Sequence, residues 1–452
     1  MDLTAHVYDG IEAIGQASAA AVHVLAVGQH DDRALRKRAL DAGAHRVLAY
    51  RKLFEDGPAT VAAFLAGRPE VPPMTTDPGI PAATYAGRLA RAAAATSAAA
   101  LDALLIGVGA DLRYLTGYEA MPLERLTMLV VTPAQPPVVV VPRLERGAAE
   151  AGLRTPIEIR TWGETDDPYA LGALGLPGVA RVGVSDTMLA MHLLRLQATL
   201  GSGSRFVLAS TVLRDLRMVK DADEVQLLRL AAQAADRVVA RIASGRLVGR
   251  TEADVAREVR EQLIAEGHES AHFAIVGSGP NSASPHHEAS DRVILAGEPS
   301  VRDIGGTLGG YGSDITRTLW VTGGASGSGP DARFRALFDV LHDAQASGTA
   351  AVRPGVTCEA VDAAARQVID AAGYAEAFFH RTGHGIGLEG HEDPYLVAGN
   401  DLPLRPGMAF SVEPGIYLAG EYGARIEDIV VCGEDGPIVL NEAPRELYVV
   451  DG

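Results

Sequence analysis

The sequence is poor in cysteine, in basic charge and in long apolar runs, and each shortage excludes a class of protein. Cys358 and Cys432 are the only cysteines in 452 residues, so no disulfide framework holds the chain. No uninterrupted apolar run approaches the roughly 20 residues of a membrane span. No Lys or Arg precedes Arg33, so the basic start of a secretory signal is missing as well. We therefore expect a cytoplasmic protein.

The charge balance limits the partners. The chain has 40 Lys and Arg against 57 Asp and Glu, which gives a net charge of −17 and a pI near 5.2. Because phosphate groups are bound by basic surfaces, this balance argues against nucleic acid and anionic membrane as partners. A hydrophobic content of 47% with 21% charged residues is typical of a globular chain with a large core.

The length and the proline distribution predict three parts. Residues 1–80 form an N-terminal extension of uncertain role. In it we expect strands at Val22–Val27 and Val47–Tyr50, separated by a helix at Asp32–Ala42. A linker rich in proline ends the extension; its prolines are Pro69, Pro72, Pro73, Pro78 and Pro81.

Residues 81–212 are expected to form a smaller β/α domain. The Ala- and Arg-rich stretch Tyr85–Ala100 predicts a helix, and strands are expected at Ala103–Ile106, Met128–Val131 and Val138–Val141. We place the boundary to the C-terminal part, residues 213–452, near Leu213, before a long helix that starts around Asp221.

The C-terminal part contains an internal repeat. Gly249, Thr251, Val255, Leu263 and Gly267 recur with the same spacing as Gly355, Thr357, Val361, Ile369 and Gly373. In each copy a Thr is expected to cap a helix that a Gly closes, and each copy follows another helix, at Ala222–Ala243 and Ala332–Ser347. Strand-rich sequence with two acidic candidate ligands follows each copy. This arrangement predicts a site with pseudo-twofold symmetry.

Five candidate metal ligands lie in short motifs in the last third of the chain: Asp303 in V-R-D-I-G-G, Asp314 in G-S-D-I-T-R-T, His384 in G-H-G-I-G, Glu413 in S-V-E-P-G and Glu427 in R-I-E-D. A hairpin formed by the first two motifs would place the side chains of both aspartates at the same opening of the site. Four carboxylates and one imidazole form a hard, oxygen-rich set that suits two divalent cations. Without cations, four converging anions would repel one another.

These motifs resemble those of the creatinase/prolidase/aminopeptidase P family of metallopeptidases. The resemblance covers the chain from about Leu213 and extends more weakly back to Tyr85. It implies an α/β (α+β) fold, with a C-terminal pita-bread catalytic domain preceded by a smaller β/α N-terminal domain. It also implies that Asp303 binds one metal, that His384 and Glu413 bind the other, and that Asp314 and Glu427 bridge the two.

The same resemblance implies roles for further residues. Glu413 would also handle the proton of the attacking water, and His286 and His391 would hydrogen-bond the substrate carbonyl. His380 would be a supporting or substrate-side group, whereas the adjacent His287 is expected to be an ordinary surface residue. For Arg425 two interpretations stay open, a ligand for the substrate carboxylate and a structural partner of a metal-binding carboxylate.

The strand before the first ligand departs from the family pattern. It reads E-P-S-V-R-D, with Pro299 unable to donate a ladder hydrogen bond and Arg302 in a segment expected to be buried. We expect Arg302 to point away from Asp303 and to find an acidic partner or solvent. The alternative is a weakened first metal position.

The resemblance therefore implies a dinuclear exopeptidase that cleaves Xaa-Pro bonds in small peptides. The resemblance favours an Xaa-Pro dipeptidase (prolidase) first and an Xaa-Pro aminopeptidase second. A creatinase-like amidinohydrolase and an inactive binding module of the same fold are further alternatives, and the intact set of five ligands argues against both. Mn²⁺ is the favoured metal, with Co²⁺, Zn²⁺ and Fe²⁺ as alternatives. The resemblance also implies a homodimer.

Overall fold

The computed structural model describes residues 25–28, 33–42, 44, 46–49, 79–323 and 329–450. The chain divides into two compact units, residues 1–77 and 78–452. Within the described residues, the helices are too short or too polar to cross a lipid bilayer.

The first unit contains a small β/α/β arrangement. Strands β1 (Leu25–Gly28) and β2 (Arg46–Ala49) pair in parallel, and helix α1 (Arg33–Asp41) connects them. The predicted order of strand, helix and strand is therefore confirmed. Of the prolines expected to form a linker, only Pro81 lies among the described residues; it precedes the first helix of the second unit.

The second unit begins with a six-stranded sheet in the order β6-β5-β4-β3-β7-β8. Its strands are β3 (Ala103–Ile106), β4 (Met128–Val131), β5 (Val138–Pro142), β6 (Glu158–Trp162), β7 (Arg181–Val184) and β8 (Arg205–Leu208). Its helices are α2 (Ala82–Ala98), α3 (Ala110–Thr116), α4 (Arg146–Gly152), α5 (Pro168–Ala173), α6 (Ala190–Leu200) and α7 (Ser210–Met218). The predicted helix and three predicted strands of this region are confirmed, with shifts of three residues or fewer at their ends.

Two helix pairs follow, and they bear out the internal repeat. The first pair is α8 (Ala222–Ala243) and α9 (Glu252–Ala265), and the second is α10 (Ala332–Ala351) and α11 (Cys358–Ala371). Thr251 and Thr357 cap α9 and α11 by accepting hydrogen bonds from the backbone N–H three residues later. The predicted helix start near Asp221 is also confirmed, because Asp221 forms a capping box with Glu224.

Two sheets and a hairpin complete the second unit. One sheet has the order β19-β11-β10-β9, the other has the order β13-β12-β14-β17-β18, and β15 pairs with β16. Their bounds are β9 (Ser270–Ser278), β10 (Glu298–Leu308), β11 (Tyr311–Val321), β12 (Gly383–Gly385), β13 (Glu392–Leu396), β14 (Ala409–Val412), β15 (Gly415–Leu418), β16 (Tyr422–Arg425), β17 (Asp428–Cys432), β18 (Pro437–Val439) and β19 (Tyr448–Val450).

Each helix pair buries apolar side chains in a core that it shares with strands. Helices α8 and α9 pack on β9, β10 and β11 through residues such as Val238, Val259 and Ile304. Helix α11 packs on β14 and β17 through residues such as Val361 and Phe410. The mixed α/β fold predicted from the sequence is confirmed.

Strand β10 differs from expectation in two respects. Asp303 lies in the middle of the strand rather than at the end of an extended segment. Arg302 does lie on the face opposite Asp303, but it is 3% exposed and its guanidinium has no hydrogen-bond partner among the described residues. The expectation that Arg302 finds an acidic partner or solvent is therefore wrong. Pro299 precedes the ladder to β9, which starts at Ser300, so that side of the strand loses no hydrogen bond.

Candidate active site and metal centre

The hairpin of β10 and β11 carries the first two candidate ligands on one face. Asp303 is opposite Thr316, and Gly305 is opposite Asp314. Because directly opposite residues and residues two apart share a face, the two aspartates are diagonal neighbours that point into the same space. Both side chains are buried, at 9% and 5% exposed.

His384 is inserted between closely spaced backbone segments. A Cβ at Gly383 would lie 1.9 Å from the carbonyl oxygen of Ser411, and one at Gly385 would lie 2.3 Å from that of Asp393. Only glycine allows such an approach, which explains the G-H-G sequence. His384 Nδ1 lies 3.1 Å from the Gly385 carbonyl oxygen. This contact assigns the ring hydrogen to Nδ1 and leaves the Nε2 lone pair to face the carboxylates.

The last two candidate ligands come from the second sheet. Ser411 Oγ donates to Glu413 Oε1 over 3.0 Å. Glu427 lies between β16 and β17 and forms a β-bridge with Thr316, whose Oγ1 donates to Glu427 Oε2 over 2.7 Å. This bridge joins the two sheets at the site.

The structure brings these side chains to one cavity. One ligand atom each of Asp314, His384 and Glu427 lies within 4.8 Å of the others. His384 Nε2 is 3.7 Å from Asp314 Oδ2 and 3.3 Å from Glu413 Oε1. Asp303 lines the same cavity, whose volume is about 530 Å³.

Burial and mutual repulsion raise the pKa values of Asp314, Glu413 and Glu427. Burial first, and then the charge of Glu427, raises the pKa of Asp314 well above its usual range. Burial and the charge of Glu413 do the same to the pKa of Glu427. Burial raises the pKa of Glu413 to about 7, with a contribution from Asp303 and an opposing one from Arg425. His384 cannot balance this charge, because burial and His391 lower its pKa to about 3.

The donor set fits divalent cations. Asp303 Oδ1 is buried and has no hydrogen-bond partner among the described residues, and the Nε2 lone pair of His384 faces carboxylate oxygens. Both features are unfavourable unless a cation lies between the groups. Oxygen donors with one imidazole match the preferences of hard divalent ions.

Arg425 is a structural partner of the ligand carboxylates. Its Nη2 donates to Asp303 Oδ2 over 2.6 Å and its Nε donates to Thr316 Oγ1 over 3.0 Å. Its Nη1 donates to Tyr417 Oη over 2.8 Å, and both Nη atoms contact the carbonyl oxygen of Pro285. All its donors are engaged within the protein. Of the two interpretations left open by the sequence, the structure therefore favours the structural one.

The three remaining candidate residues also line the cavity. The rings of His391 and His384 have centroids 3.9 Å apart. His380 Nε2 contacts Tyr417 Oη over 3.1 Å and its Nδ1 contacts the Arg381 carbonyl oxygen over 2.7 Å. Burial, with a contribution from Arg425, lowers the pKa of His380 to about 4. His286 is exposed on the cavity wall.

Several residues of the site were missed by sequence reasoning. Phe273, Ile275 and Phe379 give the cavity an apolar side, and Arg381 lies on its wall. The hydroxyl of Tyr417 contacts His380 Nε2 and accepts a hydrogen bond from Arg425 Nη1. Arg381 comes three residues before His384 and Tyr417 four residues after Glu413, so their closeness to the motifs carried a signal; the residues of β9 carried none.

His287 is not an ordinary surface residue, so that expectation is wrong. Its Nε2 lies 2.8 Å from Glu252 Oε2, and Glu252 is fully buried at the start of α9. Glu252 also accepts hydrogen bonds from Ser278 and Ser290. It thereby holds both ends of the loop that carries His286.

Comparison with known families agrees with this geometry. Residues 226–434 match the model of metallopeptidase family M24, and residues 88–219 match that of the creatinase/prolidase N-terminal domain. The chain is 52% identical to the probable dipeptidase PepE of Mycobacterium tuberculosis over 377 residues, which are 82% of this chain and 97% of that protein. The chain belongs to metallopeptidase family M24.

Two further matches of this M24 chain, one in sequence and one in structure, are also to dipeptidases. It is 31% identical to an Xaa-Pro dipeptidase of Pyrococcus horikoshii, over 77% of this chain and 94% of that protein. The crystal structure of dipeptidase PepE from Mycobacterium ulcerans superposes with a TM-score of 0.76 and 50% identity, over 83% of this chain and 100% of that one. The chain is thus a peptidase of the dipeptidase and prolidase type, with a pita-bread fold. Its family implies divalent metals.

Proposed function

We propose that this chain is a dinuclear metal-dependent Xaa-Pro dipeptidase. The observation that supports this most is the convergence of Asp303, Asp314, His384, Glu413 and Glu427 in one cavity. Asp303 would hold one cation, His384 and Glu413 the other, and the remaining two carboxylates would bridge both. Mn²⁺ is favoured because the donors are mostly carboxylate oxygens.

The apolar side of the cavity supports the preference for proline. A prolyl ring has no N–H to satisfy, and Phe273, Ile275 and Phe379 offer it a hydrophobic surface. The sequence likeness to an Xaa-Pro dipeptidase supports the same specificity.

When bound, the cations supply Lewis-acid assistance and lower the pKa of water toward neutrality. Glu413 takes the proton from the attacking water and delivers it to the leaving imino nitrogen. His286 and His391 donate hydrogen bonds to the developing oxyanion. Arg425 and Thr316 hold the ligand carboxylates in place, and His380 supports Tyr417.

A graded substrate series tests the proposal. The enzyme is treated with a chelator, each metal is added back separately, and hydrolysis of Ala-Pro, Ala-Pro-Ala and Ala-Ala is measured. We expect activity on Ala-Pro that chelation abolishes and Mn²⁺ restores best. Preference for Ala-Pro-Ala would favour the aminopeptidase alternative, and activity that survives complete metal removal would exclude the proposed chemistry.

Three further statements stay predictions. The domain boundaries at residues 81 and 213 would be tested by limited proteolysis. The homodimer would be tested by light scattering of the purified protein, and a cytoplasmic location by cell fractionation.

A further inference from the structure

The loop between β12 and β13 carries His391 and contains two glycines, Gly387 and Gly390. Because glycine has the largest backbone freedom of any residue, such a loop does not fix its own conformation. The ring of His391 is exposed on the wall of the active-site cavity. Among the described residues it contacts the ring of His384 and makes no hydrogen bond. The position of His391 is therefore set by the backbone on either side of it.

The glutamates that flank His391 bind one arginine. Arg217, near the end of α7, donates from Nη2 to Glu389 Oε2 over 2.6 Å and also to Glu392 Oε2. Its Nη1 donates to Asp111 Oδ1, in α3, over 2.9 Å. The side chain of Arg217 is 13% exposed, so salt screens these ion pairs less than it would screen pairs at the surface. One guanidinium thus connects the loop to two helices.

Lys220 holds the second of these glutamates as well. Its Nζ donates to Glu392 Oε1 over 2.6 Å, and its backbone N–H donates to the carbonyl oxygen of Gly407 over 2.9 Å. Burial alone would raise the pKa of Glu392, but the charges of Lys220 and Arg217 outweigh burial and lower this pKa. Glu392 is therefore an anion with both oxygens engaged.

These contacts join two parts of the chain that match different family models. Arg217 and Asp111 lie in the part that matches the creatinase/prolidase N-terminal domain, residues 88–219. Glu389 and Glu392 lie in the part that matches metallopeptidase family M24, residues 226–434. The loop of a histidine in the peptidase part is thus held by a cation from the part before it.

We propose that Arg217 is a positioning residue for catalysis, which fixes the loop so that His391 points at the developing oxyanion. This inference rests on the proposed peptidase function. Because the oxyanion forms only in the transition state, a displaced His391 lowers kcat more than it changes KM. A displacement of about 1 Å can lower a rate by about 100-fold.

The test is a double-mutant cycle with Arg217→Met and His391→Ala, measured on Ala-Pro with the metal-loaded enzymes. Arg217→Met should lower kcat by about 10- to 100-fold and change KM by less than about threefold. In the His391→Ala background the same substitution should change kcat by less than about twofold, because the group that it positions is absent. A loss caused by general destabilisation or by lost metal would persist in that background.

Three further variants sharpen the cycle. Arg217→Lys keeps the charge without the planar fork, so its kcat should lie between those of Arg217→Met and the wild type. Glu389→Gln removes one anchor whose side chain is 42% exposed, and it decides the test if Arg217→Met does not fold. It should lower kcat by about 3- to 10-fold, but not in the His391→Ala background. Arg214→Met, at an exposed position in the same helix, is the matched control and should keep the wild-type kcat.

An equal loss of kcat in both backgrounds overturns the inference and leaves the peptidase function intact. A folded Arg217→Met enzyme with the wild-type kcat does the same. A metal-loaded wild type that cleaves neither Ala-Pro nor Ala-Ala overturns the proposed function, and the inference falls with it. If the enzyme cleaves Ala-Ala rather than Ala-Pro, the same cycle on Ala-Ala decides the role of Arg217.

Discussion

Arg302 and Arg317 are opposite each other on adjacent strands, yet their surroundings differ. Arg317 donates to Asp428 Oδ1 over 2.7 Å and to several backbone oxygens, including that of Glu427. Arg302 is equally buried but unpaired, and burial together with the charge of Arg250 lowers its pKa to about 9. Nearby Glu258 is already paired with Arg250 at 2.6 Å. At this residue the protein carries the cost of an unpaired buried cation.

Arg302→Met should therefore stabilise the protein by about 1–4 kcal/mol, because an apolar chain of similar length replaces a desolvated charge. Thermal unfolding of the variant measures this, with Arg335→Met, at an exposed site, as control. Turnover should not change, since Arg302 faces away from Asp303. A lower melting temperature would show that Arg302 finds an acidic partner in solution.

A separate measurement tests the alternative that Pro299 and Arg302 weaken the first metal position. Metal analysis of the purified protein that finds one ion per chain would favour this alternative.

Glu413→Gln is expected to lower kcat by about 10²- to 10⁴-fold, because the proposed proton carrier is removed while its size is kept. Steady-state kinetics on Ala-Pro and metal analysis of the same sample would separate lost proton transfer from lost metal. Glu434→Gln, at an exposed position outside the cavity, is the control. Normal turnover in Glu413→Gln would remove this residue from the proposed mechanism.

At the scale of elements, the carboxylate of Glu252 connects helix α9 to the loop that carries His286 through hydrogen bonds. Glu252 begins α9, and its two oxygens accept hydrogen bonds from Ser278, Asn281 and Ser290 and contact His287. Burial alone would raise the pKa of this acid, but these hydrogen bonds outweigh it and hold the pKa at about 2. The loop between Ser278 and Ser290 carries His286, so its position depends on Glu252.

The sign of the pH dependence follows from the depressed pKa. Glu252 is harder to protonate in the folded state, so its stabilisation is complete above its usual pKa of 4.5 and is lost as the pH falls toward about 2. Glu252→Gln should therefore lower the melting temperature at pH 7, and its difference from wild type should shrink between pH 5 and 3. Glu261→Gln, at an exposed position on the same helix, is the control for the overall effect of low pH on the melting temperature. A difference that is constant with pH would contradict this account.

At the scale of the whole molecule, the site lies where two sheets meet, and two carboxylates come from each side of this junction. Asp303 and Asp314 come from one sheet and Glu413 and Glu427 adjoin the other, so repulsion among them acts across the junction. Cations that bind the folded state alone relieve this repulsion and raise stability in proportion to the logarithm of their concentration.

Chelation should therefore lower the melting temperature by a few degrees, since saturation at a hundred times the Kd contributes about 2.7 kcal/mol. Differential scanning calorimetry with chelator, and then with excess Mn²⁺, measures the shift and its recovery. Asp314→Asn weakens the site and should show a smaller shift. An equal melting temperature with and without metal would argue against cations at this junction.

The sequence by itself determined the elements and the candidate ligands. Helical periodicity with Thr and Gly at its ends predicted α9 and α11, and the spacing of the motifs around Asp303, Asp314 and His384 pointed to one site. These signals are local, because capping, periodicity and close glycine packing act within a few residues. Signals of this kind are therefore contained in the sequence alone.

Only the tertiary structure decided which partners those residues have. Arg425 is saturated by Asp303 and Tyr417, Arg302 has no partner, and His287 binds Glu252; each outcome depends on groups brought from distant parts of the chain. Sequence spacing cannot give such pairings, because a long side chain reaches several neighbours and burial determines which contact is retained.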